Sequence, residues 1–156
     1  MLRALSILIM LSPLPAFAEA GVFLVDRGTL PFDLGPGHPA NSPALFANRP
    51  TNNRNSAANP LNGAANRANL PSVAAQGTDL IVTDDGTPVG YYVQNGLGTM
   101  NLFDAGGKRI AYKPANRSTK SLFTTSGQWC GTVAAARDGT FSIGLTRACA
   151  ALFGLQ

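Results

Sequence analysis

Charge is scarce in this chain: only 13% of its 156 residues are Asp, Glu, Lys or Arg, about half the usual ~25%. That excludes a long coiled coil, a charged disordered chain and an α-rich bundle, each of which needs many charged residues. The net charge of +4 comes from 12 basic and 8 acidic residues with no dense basic block, too diffuse a pattern to point to nucleic acid. There is one histidine, His38, inside Gly-Pro-Gly-His-Pro, with no cluster of polar partners to make a triad or a zinc site of it. It reads as a solvated loop histidine. No P-loop, G-x-G-x-x-G, H-E-x-x-H, EF-hand loop or nucleophile elbow occurs. The acidic pair Asp84-Asp85 sits where a hairpin turn is expected, and turns favour Asp for backbone reasons alone. No cofactor, metal or enzymatic activity is therefore expected. What the chain has in plenty is glycine and proline, 28 of 156 positions together, against an average share of about 12%.

The longest apolar run is also short. Residues 1–18 (MLRALSILIMLSPLPAFA) place Arg3 before 11 apolar residues, then Pro13 and Pro15, then Ala16-Phe17-Ala18. This is the layout of a secretory signal peptide with an A-x-A cleavage site. A second A-x-A, Ala18-Glu19-Ala20, offers cleavage two residues later. Eleven apolar residues span about half of a bilayer core, so a cleaved leader is expected, not an anchor, with no membrane span after cleavage. The protein is then exported, to the periplasm or beyond the cell. In such a compartment the two cysteines, Cys130 and Cys149, are most simply one disulfide.

Residues 19–40 read as a short strand or hairpin segment, two apolar stretches around Asp26-Arg27-Gly28. The composition then changes. Between Asn41 and Asn69, 9 of 29 residues are asparagine. Asn41, Asn48, Asn55, Asn62 and Asn69 stand seven apart, with Asn52, Asn59 and Asn66 as a second series. Asparagine and glycine are poor helix formers, and Pro43, Pro50 and Pro60 interrupt any helical ladder, so the period of seven is not that of a coiled coil. Two readings of residues 41–78 remain. One is an extended, irregular, solvated linker, favoured by the lack of apolar groups to offset ordering entropy. The other is a stack of turns in which equivalent asparagines bond to neighbouring backbone, presenting a periodic surface to a periodic partner such as a cell-wall polymer.

Residues 79–156 carry the organised fold. LIVTDDGTPVGYYV, NLFDAGGKRIAYK and SLFTTSGQWCGTV superpose on Gly86, Gly107 and Gly127, spaced 21 and 20 residues apart. Each glycine follows a strand residue by four and an Asp or Thr by three, which fits a type I turn closed by a left-handed glycine. Asp138-Gly139 supplies a further turn. Downstream, Val89, Ile110 and Cys130 form one column, Gly90, Ala111 and Gly131 the next, and Tyr91, Tyr112 and Thr132 a third. Strict alternation would put the first and third columns on one face. The small middle column then lies on the other, where another strand approaches closely. Tyr92 and Trp129 fall on that second face, beside Gly90 and Gly131, and are the candidate ligand platform for a sugar or peptide. In a ladder with a three-residue loop at 137–139, Cys130 lies opposite Thr146. Reaching Cys149 then requires the chain after Leu145 to fold back, with Ala148, Ala150, Leu152 and Phe153 covering the sheet.

The unit in NLFDAGGKRIAYK resembles the repeat of the 4-fold β-flower proteins, over roughly residues 80–145. The resemblance implies short hairpins around a pseudo-rotation axis and brings no catalytic residues. The asparagine segment is similar to that of uncharacterised exported bacterial proteins with NSPSN-like repeats. The fourth hairpin follows after 12 residues instead of about 20, which keeps an antiparallel meander open beside the flower. The expectation is thus an all-β protein of antiparallel hairpin repeats, with an N-terminal Asn-rich arm. It would serve as a non-enzymatic binding or structural module, its partner a cell-wall polymer or another envelope or secreted protein. The alternatives are a secreted inhibitor or effector acting by protein binding, and a cell-wall hydrolase.

Overall fold

The computed structural model describes residues 20–24, 35–76, 79–115, 119–135 and 141–155. The expected leader and the turns expected at Asp26-Arg27-Gly28 and Asp138-Gly139 lie outside these residues. Eight strands form a closed barrel in chain order. They are β1 (Ala20–Leu24), β2 (Leu80–Val82), β3 (Pro88–Gln94), β4 (Met100–Asp104), β5 (Arg109–Lys113), β6 (Ser121–Thr124), β7 (Trp129–Ala135) and β8 (Phe141–Leu145). From β2 to β8 each strand pairs antiparallel with the next, which is a meander. β1 closes the ring and runs parallel to both β2 and β8.

The matched glycines do what their spacing implies. Gly86, Gly107 and Gly127 take φ of 80°, 86° and 85°, and their N–H groups bond back to the Thr83, Asp104 and Thr124 carbonyls at 2.8, 3.0 and 2.8 Å. An equivalent turn joins β3 to β4, where the Gly98 N–H bonds the Asn95 carbonyl at 2.9 Å. Asn95 stands three residues before the left-handed Gly98, the same spacing as in the other three turns.

Facing is where strict alternation fails. Register shifts at Ile81/Val82, Leu102/Phe103 and Leu122/Phe123 leave Val89, Ile110 and Cys130 as extra residues on β3, β5 and β7. The first column of the repeat is thus three equivalent β-bulges. A bulge sets two successive residues against one and resets the alternation. Ile110 and Ala111 accordingly share the interior with Tyr92, Leu102, Leu122, Ile143 and Leu145. Tyr91 and Tyr112 point the other way, pairing with Phe103 and Phe123 at ring-centroid distances of 5.1 and 6.0 Å. The small column is tight for the expected reason: a Cβ on Gly90 would collide with the Phe103 carbonyl, and one on Gly131 with the Gly144 carbonyl.

The C-terminal end folds back as the disulfide requires. The Thr146 N–H bonds the Cys130 carbonyl at 3.0 Å, so these residues face each other at the end of the ladder. Helix α2 (Arg147–Leu152) then brings Cys149 to Cys130, their Cα atoms 5.3 Å apart, in a disulfide. Ala150 and Phe153 complete the interior, whereas Ala148 and Leu152 are exposed.

The asparagine segment is the stacked-turn form and not a linker. It starts at Gly35, earlier than the change in asparagine content suggests, and ends in the one-turn helix α1 (Pro71–Ala74). Each seven-residue unit holds two turns, closed for example by Leu45 N–H to Ser42 O at 3.1 Å and Asn48 N–H to Leu45 O at 3.0 Å. Inside the stack sit Asn48, Asn55, Asn62 and Asn69, each only 1% exposed. The Asn62 amide donates to the Arg54 and Ser56 carbonyls at 2.8 and 2.9 Å, and Asn69 repeats this toward Leu61 and Gly63. Side chains at the turn starts cap the next N–H but one: His38 Nδ1 accepts from Ala40, and Asn59 and Asn66 do the same for Leu61 and Ala68. His38 is thus a turn cap.

The arm lies on the outer wall of the barrel, and the two share a period. Tyr91 and Tyr112 donate to the Asn69 and Asn48 carbonyls at 2.7 and 2.8 Å. Pro71 covers Gly107, and Pro50 covers Gly127. Asn101 donates to Asn62 Oδ1, and Ser121 to Asn41 Oδ1. In each pair the arm partner moves by 21 residues, three units, while the barrel partner moves by 20 or 21. Between them Arg109 reaches the Asn55 carbonyl with both terminal nitrogens at 3.1 Å, bonds Asn101 Oδ1 at 2.8 Å and lies 4.9 Å from the Tyr112 ring centre.

Two predictions follow from this packing. Gly131→Ala should lower the unfolding free energy by about 3 kcal/mol in urea denaturation, because its Cβ meets backbone that cannot move. Gly86→Ala, with open space around it, should cost only the left-handed backbone penalty of about 1 kcal/mol. The second concerns alkali. Burial raises all three tyrosines, Tyr112 to about 12, with Asp104 adding to the effect at Tyr91 and Asp79 at Tyr92. Raised phenol values stabilise the fold below the unfolded value of about 10 and lose that effect as pH climbs through the folded one. Burial pulls Arg109 down to about 10 and lowers Lys113 as well, which act in the opposite sense but are two groups against three. Stability should therefore fall between pH 10 and about 12, with tyrosinate absorbance appearing together with unfolding; early, independent ionisation would contradict it.

Candidate functional site

Trp129 opens β7, one residue before the bulge at Cys130. It stands opposite Phe123, on the side of the sheet that faces the arm. There the tip of the β6–β7 hairpin, the first turns of the arm and the chain entering α2 surround a cleft of about 750 Å³. Pro36 and Pro43 line it from the arm, Gln128 and Trp129 from the hairpin, and Thr146 and Arg147 from the C-terminal segment. Among the described residues no Asp or Glu contributes to its wall.

The side chains have different degrees of freedom. Trp129 is half-buried, and its indole N–H is shielded from solvent with no hydrogen-bond partner among the described residues. An unpaired buried donor costs about 1–3 kcal/mol, so the ring carries an unmet demand for an acceptor. Arg147 is exposed and makes no ion pair or hydrogen bond among the described residues. The Thr146 hydroxyl is engaged, accepting from the Cys149 N–H at 3.3 Å. The disulfide joins the two walls, since Cys130 follows Trp129 directly and Cys149 stands two residues after Arg147. A flat aromatic face beside a free guanidinium can hold a ring stacked on the indole while the guanidinium bonds an oxygen.

The expected platform is divided. Tyr92 is 6% exposed and belongs to the interior, because the bulge at Val89 turns it inward. Gly90 and Gly131 are closed over by neighbouring backbone. Trp129 stands on the opposite side, so the structure does not bring it together with Tyr92. Arg147, Pro36 and Pro43 escaped the sequence reading. The pairing of Cys130 with Cys149 was the available signal, since it had to draw the residues before Cys149 toward Trp129.

Elsewhere, Asp84 and Asp85 border a hollow of about 420 Å³ with Val22, Phe23 and Leu24. The Asp85 carboxylate accepts from the Thr83 hydroxyl and, at 3.1 Å, from the Thr87 N–H. These bonds, the Thr83 hydroxyl foremost, hold it below the usual carboxylate range. It serves the turn. No group of three His, Cys, Asp or Glu placed to hold a metal occurs among the described residues. In comparisons with family models, curated proteins and solved structures, none matches this chain.

Replacing both Cys130 and Cys149 by Ser should cost on the order of 3 kcal/mol in urea denaturation, from the loop of about 20 residues the bond closes. Unchanged stability in the double variant would remove the structural role of the bridge.

Proposed function

We propose that this is an exported, non-enzymatic binding module of the bacterial envelope or extracellular space, which takes a cell-wall polymer in the cleft at Trp129. The observation that carries the reading is the cleft itself: the half-buried Trp129 and the exposed Arg147, which has no ion pair among the described residues, both line it from two segments joined by a disulfide. Export accords with that bridge, which oxidising compartments preserve. Cleavage after Ala18 suits the barrel better than cleavage after Ala20, because Ala20 is buried and pairs with Ile81. Among the described residues no helix is long and apolar enough to cross a membrane.

The inhibitor reading would need loops, since the closed barrel offers no free strand edge to a target. A hydrolase would need acid and base groups in the cleft, and no carboxylate lines it among the described residues. The wild-type protein should be retained on isolated peptidoglycan in a pull-down, and Trp129→Ala should lose at least about tenfold in retention, consistent with loss of one stacking anchor. No retention of the wild type, or equal retention of the variant, would overturn the assignment.

A further inference from the structure

We infer that the Trp129 cleft selects a carboxylate-bearing sugar, with Arg147 as the residue that sets this preference and the Cys130–Cys149 bridge as the device that holds Arg147 in place; this rests on the binding role proposed above. Three features lead there. The first is charge. Among the described residues the cleft wall contains one cation, Arg147, and no carboxylate, and Arg147 has no ion pair or hydrogen bond there. A guanidinium presents a planar fork of donors that matches a carboxylate in two parallel bonds.

The second feature is shape. Trp129, Pro36 and Pro43 supply flat apolar faces suited to the C–H side of a pyranose ring, while Gln128 adds an amide. A neutral sugar could use these surfaces but would leave Arg147 without a partner. With the Arg147 guanidinium and the Gln128 amide in the wall and no carboxylate among the described lining residues, the cleft is poor in charged acceptors. That balance suits a ligand carrying an anion.

The third feature is the covalent tie. Trp129 belongs to the barrel wall, whereas Arg147 opens a six-residue helix at the chain's end. Within that helix the bond from Cys149 to Cys130 anchors it to β7, beside Trp129. Opening the bridge frees the guanidinium wall and leaves the indole wall in the sheet. Recognition of the carboxylate should therefore suffer more from reduction than stacking does.

Trp129 is the only tryptophan, so its fluorescence reports the cleft directly. The test titrates the full protein with two disaccharides of matched rings: N-acetylglucosaminyl-N-acetylmuramic acid, which carries a lactyl carboxylate, and chitobiose, which lacks it. The acidic sugar should change the fluorescence saturably with at least tenfold tighter binding, and added salt should weaken it alone. Arg147→Gln should bring its affinity down to that of chitobiose and leave chitobiose unaffected, while Arg147→Lys should keep part of the preference. The Cys130→Ser/Cys149→Ser variant, checked for folding by circular dichroism, should lose the preference before it loses chitobiose. Equal affinity for both sugars, or an equal loss of both in Arg147→Gln, would overturn the inference while leaving polymer binding in place. Retention on peptidoglycan with no response to either sugar would also overturn it. Absence of both retention and response would remove the binding role itself.

Discussion

A carboxamide is both donor and acceptor, and the arm's order depends on spending those two capacities in opposite directions. Along residues 35–76 there is too little apolar surface to form a core. The position that would hold a leucine in another repeat holds asparagine. Its NH2 group turns into the stack and takes up carbonyls that the turns leave open, as Asn62 does with Arg54 and Ser56. Its oxygen turns outward and accepts from the barrel at Asn41, Asn55 and Asn62, from Asn95 and Asn101 in the last case, whereas that of Asn69 is buried without a partner among the described residues. Each bond is worth about 1 kcal/mol net, but a side chain that met only one demand would leave a buried polar atom behind. A hydrophobic replacement would abandon both sets of partners.

That arrangement holds only because arm and barrel keep step. Three seven-residue units advance the arm by as much as one hairpin advances the sheet, so Tyr91 and Tyr112 find equivalent carbonyls, and Pro71 and Pro50 find equivalent glycines. The bulges make this possible. By resetting the alternation after Val89 and Ile110, they aim the tyrosines at the arm and keep Tyr92 and Ala111 in the interior. The half-buried Arg109 shows how dense the seam is: it has no carboxylate partner among the described residues and is held by an asparagine oxygen, a backbone carbonyl and an aromatic face.

Much of this was readable in the residues, and the failures have physical causes. Gly86, Gly107 and Gly127 announced their turns because a left-handed position tolerates little else. The Cys130–Cys149 bridge, and the return of the chain after Leu145, followed from the expected compartment and from register. The seven-residue spacing was visible too. Composition nevertheless favoured a linker, because it counts apolar groups and has no measure of amides that satisfy each other. Strand alternation failed at Val89, Ile110 and Cys130 because a bulge has no composition of its own; Ile and Cys in those places look like ordinary strand residues. That error moved Tyr92 onto the face of Trp129. Arg147 went unnoticed because nothing nearby in sequence marks it, and only the bridge brings it near the indole.

The first strand carries a consequence for the order of events. β1 meets β8 through Gly21–Ser142 to Leu24–Leu145, a pairing that joins the two extremes of the described chain. Its other partner, β2, lies beyond the whole arm. Every contact that β1 makes in the ring is therefore remote, and remote contacts are the slowest to form because the loop entropy must be spent first. The local hairpins can assemble as they emerge, but the ring stays open until both ends are present. Until then β2 and β8 each carry an unpaired edge, the kind of surface on which chains associate. Closure is thus the last act of folding, and the strand that is made first is the last to find its place.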